Sequence, residues 1–338
     1  MAKSRVWTKI DFSAQGVQSD FARVPYSSDS SAYGWIPVPM FCVSHGEGPT
    51  ALLIGGTHGD EYEGQVALLK LARELIETEI QGRVIILPSL NRPAAAAGRR
   101  NSPIDGGNLN RVFPGNPDGG PTEMIADYVS SILFPMADFV IDLHAGGKSL
   151  EYLPVALARP GKTDHDARQI RRLLDAFAAP YSVITTGAGG GANSTLYAAA
   201  EAAGIPALTA ELGYGGTLCW EGLYIAENGL RQVLREYGVM QQAHSSPPKP
   251  TRMMKSLGPE VSVFASSKGL FEPYVELGET VSAGQPAGAI HFPERPTAAP
   301  EVLTFSADGM VAWRRFPTQT ETGDALYGLM KQMVPEEK

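Results

Sequence analysis

Short, continuously apolar runs alternate with helix-period segments from Ala51 to about Tyr237, and this alternation restricts the chain to one fold class. ALLIGG (51–56), RVIILPSL (83–90), ADFVIDLH (137–144), YSVITTG (181–187) and PALTAELG (206–213) read as strands. GQVALLKLARELIE (64–77), TEMIADYVSSILF (122–134), DARQIRRLLDAFA (166–178) and GLYIAENGLRQVLREYG (222–238) read as helices, with Thr122 as a candidate N-cap and Gly238 as a stop. Strands without a polar face need cover on both sides, which predicts an α/β domain with a mostly parallel sheet and helices on both faces. Residues 1–50 are expected to be β-rich and to pair with that sheet.

Composition narrows the partners. The formal net charge is −8 and no basic stripe is visible, so neither nucleic acid nor an anionic membrane is an expected partner. No apolar run approaches the roughly 18 residues of a membrane span. The first twenty residues lack the hydrophobic segment of a secretory signal. Cys42 and Cys219 are too few and too far apart for a disulfide framework, so the expected compartment is the cytoplasm. Cys219 has no paired base near it in sequence and reads as a reduced, small hydrophobe.

After HSSPPKP (244–250), a linker-like stretch, the pattern shifts to short β runs with turn signals: GLFEPYVELGETVSAGQPAGAIHF (269–292) and FSADGMVAWRRF (305–316). The expected organisation is therefore an α/β domain over residues 1–245 and a smaller all-β domain over 246–338.

The stretch GGTHGDEYEG (55–64) places glycines, a histidine and acids at the carboxyl end of a buried strand, where open α/β sheets bind ligands. His58 and Glu61 are three apart and can face one point in a turn; imidazole nitrogen plus carboxylate oxygen suits zinc. A catalytic zinc needs a third protein ligand and an open position. His144, which ends the strand FVIDLH, supplies that third ligand. Asp142 either orients the site or pins the strand end. His45, His165, His244 and His291 sit among turn, helix or linker residues and read as solvated or packing side chains. Glu211 ends another buried strand, where packing explains a carboxylate poorly; it is the candidate general base. The Arg/Asn/Gly-rich loop AGRRNSPIDGGNLNRVFPG (97–115) offers Arg99, Arg100 and Arg111 to a carboxylate or an oxyanion, with Arg99 read as solvated. GAGGGANSTLY (187–197) looks nucleotide-like, but it lies late in the domain without a phosphate-loop lysine, so a flexible loop near the pocket is preferred.

Together, GGTHGDE (55–61), NLNR (108–111), DLH (142–144) and AEL (210–212) resemble the succinylglutamate desuccinylase/aspartoacylase family, relatives of the zinc carboxypeptidases. The resemblance implies a zinc-carboxypeptidase-like, mostly parallel or mixed sheet. It also implies one zinc ion on His58, Glu61 and His144, and Glu211 as general acid/base. Asn110 and Arg111 would hold a substrate carboxylate, and Arg100 would polarise the scissile carbonyl. Cobalt or manganese suits the same ligands. The family's active-site tyrosine has no evident counterpart in the sequence.

GVQSDFARVPYSSDSSAYG (16–34), GEGPTALLIGGTHGDEYEG (46–64) and SPIDGGNLNRVFPGNPDG (102–119) look most like the bacterial deacetylases of N-alpha-acetyl-L-2,4-diaminobutyrate in ectoine degradation. Such a substrate carries an ammonium that needs an acceptor, for which Asp118, Glu123 and Glu151 are candidates. Another N-acyl amino acid, a carboxypeptidase substrate, or a non-catalytic binding role are the competing readings. The C-terminal segments resemble a biotinyl/lipoyl-like sandwich without its cofactor lysine, which implies a module bordering the site. The family also implies a homo-oligomer.

Overall fold

The computed structural model describes residues 4–187, 192–241 and 249–333. The chain enters through β1 (Gly16–Pro25) and β2 (Trp35–His45). It continues through β3 (Thr50–Gly55), α1 (Glu63–Leu75), β4 (Gly82–Leu87), α2 (Arg92–Ala97), α3 (Pro121–Tyr128) and β5 (Phe139–His144). Next come β6 (Leu150–Tyr152), β7 (Val155–Ala158), α4 (Asp164–Phe177), β8 (Tyr181–Ile184), α5 (Leu196–Ala202), β9 (Ala207–Glu211) and α6 (Trp220–Glu236). The C-terminal part is β10 (Arg252–Ser256), β11 (Val263–Phe264), β12 (Gly269–Pro273), β13 (Thr280–Val281), β14 (Pro286–His291), β15 (Glu301–Thr304), β16 (Gly309–Arg315), β17 (Gln319–Thr320) and β18 (Ala325–Gln332).

The centre of the sheet is the parallel set β4-β3-β5-β9, flanked by antiparallel neighbours: β2 on one side and β7 on the other. The sheet is thus mixed, as the N-terminal hairpin β1–β2 joins its edge. Alternate residues of each central strand feed two cores. Leu53, Ile86 and Ile141 meet α1, α4 and α6 on one face. Leu52, Ile85 and Val140 meet α3 and α5 on the other. Along α1, Ala67, Leu68, Leu71 and Leu75 recur at helical spacing and are all buried. Each such leucine contributes about 1.5–3 kcal/mol, so tertiary burial holds this helix more than propensity does.

The sheet does not stop at the α/β part. β10 pairs in parallel with β8 and antiparallel with β18, so the C-terminal strands extend it. A separate antiparallel sheet, ordered β15-β14-β12-β17, lies beyond. The division expected at 245/246 and most of HSSPPKP fall outside the described residues, as does His244. Thr122 is not a cap. Gly120 occupies the N-cap position with Pro121 after it, and Glu123 Oε2 accepts the Gly120 amide at 3.1 Å. The Thr122 hydroxyl instead donates to Asp105, at 2.7 Å. Proline's preference for the first helical turn decided that boundary. α2, β6, β7 and α5 have no counterpart among the runs read from the sequence; Arg92–Ala97, Leu150–Tyr152, Val155–Ala158 and Leu196–Ala202 are too short to show a period.

Candidate active site

β3, β5 and β9 run parallel and end together. The register places Ile54 beside Asp142, and His144 beside Glu211. Beyond β3 the chain makes a tight turn, with Gly56 at φ 65°. A Cβ on Gly59 would lie 2.0 Å from the Ala94 carbonyl carbon, so only glycine lets the turn press against α2. This turn swings His58 and Glu61 back over the end of β5.

His58, Glu61 and His144 are each 2–3% exposed, and one ligand atom from each lies within 4.8 Å of the others. His58 Nδ1 is 2.8 Å from Glu61 Oε1, and His144 Nδ1 is 2.8 Å from Glu61 Oε2. The two Nδ1 atoms are 3.2 Å apart. Each ring's other nitrogen faces a pure acceptor: His58 Nε2 is 3.2 Å from Asn108 Oδ1, and His144 Nε2 is 2.7 Å from Asp142 Oδ2. Those acceptors fix the ring protons on Nε2 and leave both Nδ1 lone pairs aimed at the carboxylate. Such a group of lone pairs requires positive charge among them. Burial lowers His58. Burial would lower His144 too, but Asp142 and Glu61 outweigh it and hold that ring well above the usual histidine value. Burial would raise Glu61, yet the two imidazoles leave it well below the ordinary carboxylate range. Two imidazole nitrogens and a carboxylate are a donor set that a metal ion such as zinc fits. Asp142 is fully buried, and the Thr57 hydroxyl donates to its other oxygen at 2.8 Å. It orients His144, the first of the two roles considered for it.

These groups open on a cavity of about 230 Å³. Arg100, Asn110, Arg111, Tyr152, Thr195, Tyr197, Thr209 and Glu211 complete its polar lining. Glu211 Oε2 is shielded from solvent and has no hydrogen-bond partner among the described residues. Burial pushes its pKa up to about 8, opposed by His144 and Arg100 and assisted by Glu61. Arg100 Nη1 reaches Glu61 Oε1 at 3.4 Å. Asn110 Oδ1 accepts the Leu196 amide at 2.9 Å, and Arg111 Nη1 donates to the Asn110 carbonyl at 2.8 Å.

The succinylglutamate desuccinylase/aspartoacylase catalytic domain model matches residues 47–237, more than half of the chain and all of this site. The chain belongs to the succinylglutamate desuccinylase/aspartoacylase family. Among curated relatives, the N-alpha-acetyl-L-2,4-diaminobutyric acid deacetylase of Halomonas elongata is 43% identical over 96% of this chain and 94% of its own. Among solved structures, the product-bound ectoine utilization protein EutE (DoeB) of Ruegeria pomeroyi is 37% identical with a TM-score of 0.92, over 98% of this chain and 100% of that one. A succinylglutamate desuccinylase/aspartoacylase from Rhodobacter sphaeroides is 38% identical with a TM-score of 0.90, over 98% and 100%.

Every site residue expected from the family motifs reaches this cavity. Arg99 is exposed and stays outside it; its carbonyl accepts the Gly59 amide. Asp118, Glu123 and Glu151 do not reach it. They pair instead with Arg5, the Gly120 amide and Arg314, respectively. His45, His165 and His291 lie elsewhere, and His291 pairs with Glu272 on the surface. Cys219 opens α6, where its amide donates to Glu63. In GAGGGANSTLY, Gly187, Ala192, Thr195 and Tyr197 line the cavity, and the segment ends not as a loop but in the start of α5, with Thr195 at its N-cap; residues 188–191 lie outside the described ones.

Four polar lining residues of this desuccinylase/aspartoacylase-family chain were not singled out in its sequence: Tyr152, Thr209 and, within the segment expected near the pocket, Thr195 and Tyr197. For Thr209 a signal existed, since it is two residues before Glu211 on one strand and so shares its face. Tyr152 comes from a three-residue strand that pairs with β16, some 160 residues later, which no local pattern announces.

Proposed function

We propose that this chain is a zinc-dependent amidohydrolase that removes the acetyl group of N-alpha-acetyl-L-2,4-diaminobutyrate in ectoine degradation. One observation carries the chemistry: the shielded Oε2 of Glu211, without a partner among the described residues, belongs to a side chain across the β5–β9 ladder from His144. The 43% identical deacetylase supports the substrate.

His58, Glu61 and His144 would hold the zinc. When bound there it supplies a Lewis acid that polarises the amide carbonyl and acidifies water. Asp142 and Asn108 keep both imidazoles in the ligating tautomer. Glu211, raised toward neutrality by burial, takes the proton of the attacking water and returns it to the leaving amine nitrogen. Arg100 donates to the developing oxyanion, a contribution of about 3 kcal/mol for one such donor. Arg111 receives the substrate carboxylate. The products are acetate and diaminobutyrate. Asn110 anchors α5 over the cavity through the Leu196 amide while its Nδ2 stays near His144, so its part in holding the carboxylate is shared with this clamp. The C-terminal strands wall the neighbouring cleft and reach the site's border at Tyr152, whose ring centroid is 6.4 Å from that of Trp313 where β16 meets β6; we read them as a structural module of biotinyl/lipoyl-like type.

The test is amine release from N-alpha- and N-gamma-acetyl-diaminobutyrate, N-acetylaspartate, N-succinylglutamate and a short peptide, with and without chelator. Chelator-sensitive turnover of the N-alpha-acetyl compound alone is expected. Preference for another member overturns the substrate and keeps the chemistry. Turnover that persists in protein shown to be metal-free overturns the mechanism.

A further inference from the structure

One rim of the catalytic cavity is drawn from the glycine-rich stretch GAGGGA (187–192), of which Gly187 and Ala192 line it. Glycine loses more conformational freedom on folding than any other residue. The ends of such a stretch keep a fixed separation only where a group outside it holds them.

Arg159 is that group. It follows β7 and is not itself a lining residue of the cavity. Its Nη1 donates to two carbonyls at once, Thr186 at 2.7 Å and Ala192 at 3.0 Å. These sit just before one end of the stretch and at the other. Its Nε donates to Glu201 Oε2 on α5 at 2.5 Å, and the second Glu201 oxygen accepts the Gly161 amide at 3.1 Å. The Arg159 and Glu201 side chains are only 13% and 15% exposed, so these charge-assisted bonds are sheltered from water. The catalytic side grips α5 from its other end, where Asn110 Oδ1 accepts the Leu196 amide and the Phe113 amide donates to the Ser194 carbonyl at 3.1 Å. Tyr197 stands between the two grips: it lines the catalytic cavity and also the small hollow beside Arg159 and Glu201. Burial raises its phenol, and the Arg159 charge is the first to oppose that rise. The guanidinium is therefore near enough to act on a side chain of the cavity.

We infer that Arg159 is a positioning residue for substrate binding: by holding the Thr186 and Ala192 carbonyls on one nitrogen, it fixes the separation of Gly187 and Ala192 on the cavity wall. It touches neither the reacting atoms nor the metal ligands. Glu201 aims the guanidinium but does not hold the wall. A wall displaced by about 1 Å can cost about 100-fold in rate. The kinetic part of the test rests on the amidohydrolase reading above; the structural part does not.

The experiment separates the hold on the wall from general stability. E201Q removes the ion pair and leaves Arg159 its two carbonyls. The double variant R159M/E201Q releases the carbonyls without stranding a sheltered carboxylate, which would be damaging in its own right. Kinetics are read on zinc-loaded protein with whichever member of the N-acyl panel the wild type hydrolyses. Amide hydrogen exchange is followed by mass spectrometry in peptides covering residues 185–197. The double variant is expected to raise KM about 10- to 100-fold with kcat within about threefold, and to speed exchange in those peptides about tenfold or more. E201Q should melt earlier, yet keep KM within about threefold and exchange near the wild-type rate. R159K, which keeps the charge without the planar fork, should recover part of the lost KM. Wild-type KM and exchange in the double variant overturn the inference. So does a KM that rises equally in E201Q, since the effect would then follow stability, and so does loss of zinc from the double variant. If the wild type hydrolyses no panel member, the amidohydrolase reading fails and the exchange rates alone decide on Arg159.

Discussion

The catalytic cavity, about 230 Å³, and the cleft beside it, about 470 Å³, share Tyr152, Leu157, Gly187 and Tyr197, yet the rest of their walls differ in kind. The first is walled by the ends of β3, β5 and β9 and the loops beyond, and it keeps a shielded carboxylate oxygen and two hydroxyls without partners among the described residues. The second is walled by Val155, Val183, Phe264, Ala312, Leu329 and Met330, mostly from the C-terminal strands. Unpaired polar groups cost stability, and packed apolar ones supply it. The contrast separates a wall built for chemistry from one built to hold two parts of the sheet together. It also says what substitutions on each side should do.

The largest expected effect belongs to the catalytic side. Removing the metal with a chelator, or replacing His144 with Ala, should bring amide hydrolysis to background, because the Lewis acid is lost outright. Metal analysis alongside turnover checks this, and an active, metal-free H144A would end the idea that the three residues serve catalysis by binding metal. Next comes Glu211→Gln. It keeps shape and zinc but cannot take a proton, and kcat should fall about 10²- to 10⁴-fold. Near-normal turnover by that variant would remove Glu211 from the base's role. Asp142→Asn acts one step further out. It no longer fixes the proton on His144 Nε2, so zinc affinity should fall about 10- to 100-fold, read by competition with a chromogenic chelator.

The cleft should answer in the opposite currency. Leu329 is 3% exposed and lines that wall. Leu329→Ala should cost about 2–5 kcal/mol of stability in denaturant unfolding, through lost contacts and a residual void. Its kcat/KM, measured well below the melting point, should stay at the wild-type value. A variant that melts normally but loses activity would show that the apolar wall is part of the substrate site, and the contrast between the two cavities would collapse.

The same division explains what was legible in the sequence. The central strands announce themselves because both their faces are buried: β3 reads Thr50–Gly55 without an exposed position. His58, His144 and Glu211 stand out because polar residues at the ends of such strands have no packing reason to be there. Asn108 opens the motif NLNR, but its part as the acceptor for His58 depends on a loop fold that local sequence does not specify. Tyr152 and the cleft residues were illegible for a stronger reason. They meet through β6–β16 and β8–β10 pairings, and strand pairing at long range leaves no periodicity in either partner. The misread cap at Thr122 is a local error of the opposite kind. Two cap signals competed within three residues, and Pro121 outweighed the hydroxyl.

The smallest effect is a pH slope, and it tests whether the unpartnered carboxylate carries the cost assigned to it. Burial raises Glu211 from an ordinary value of 4.5 to about 8. The folded chain therefore holds a proton there that the unfolded chain has released once the pH passes about 4.5. Stability from the protonated form is complete below that value and is lost as pH rises through about 8, where folding must bury a charge. Glutamine at this position has no proton to lose. In chelator-treated protein, the stability of the wild type minus that of Glu211→Gln should decline between about pH 4.5 and about pH 8 in urea unfolding and level off above. All other titrating groups cancel in the difference, provided the variant leaves them in place. A flat difference would mean that water or a neighbour satisfies Glu211, and the catalytic cavity would then be no more strained than the cleft. With metal restored, the added positive charge favours the carboxylate and the slope should shift toward lower pH, so the holoprotein supplies the second half of the comparison.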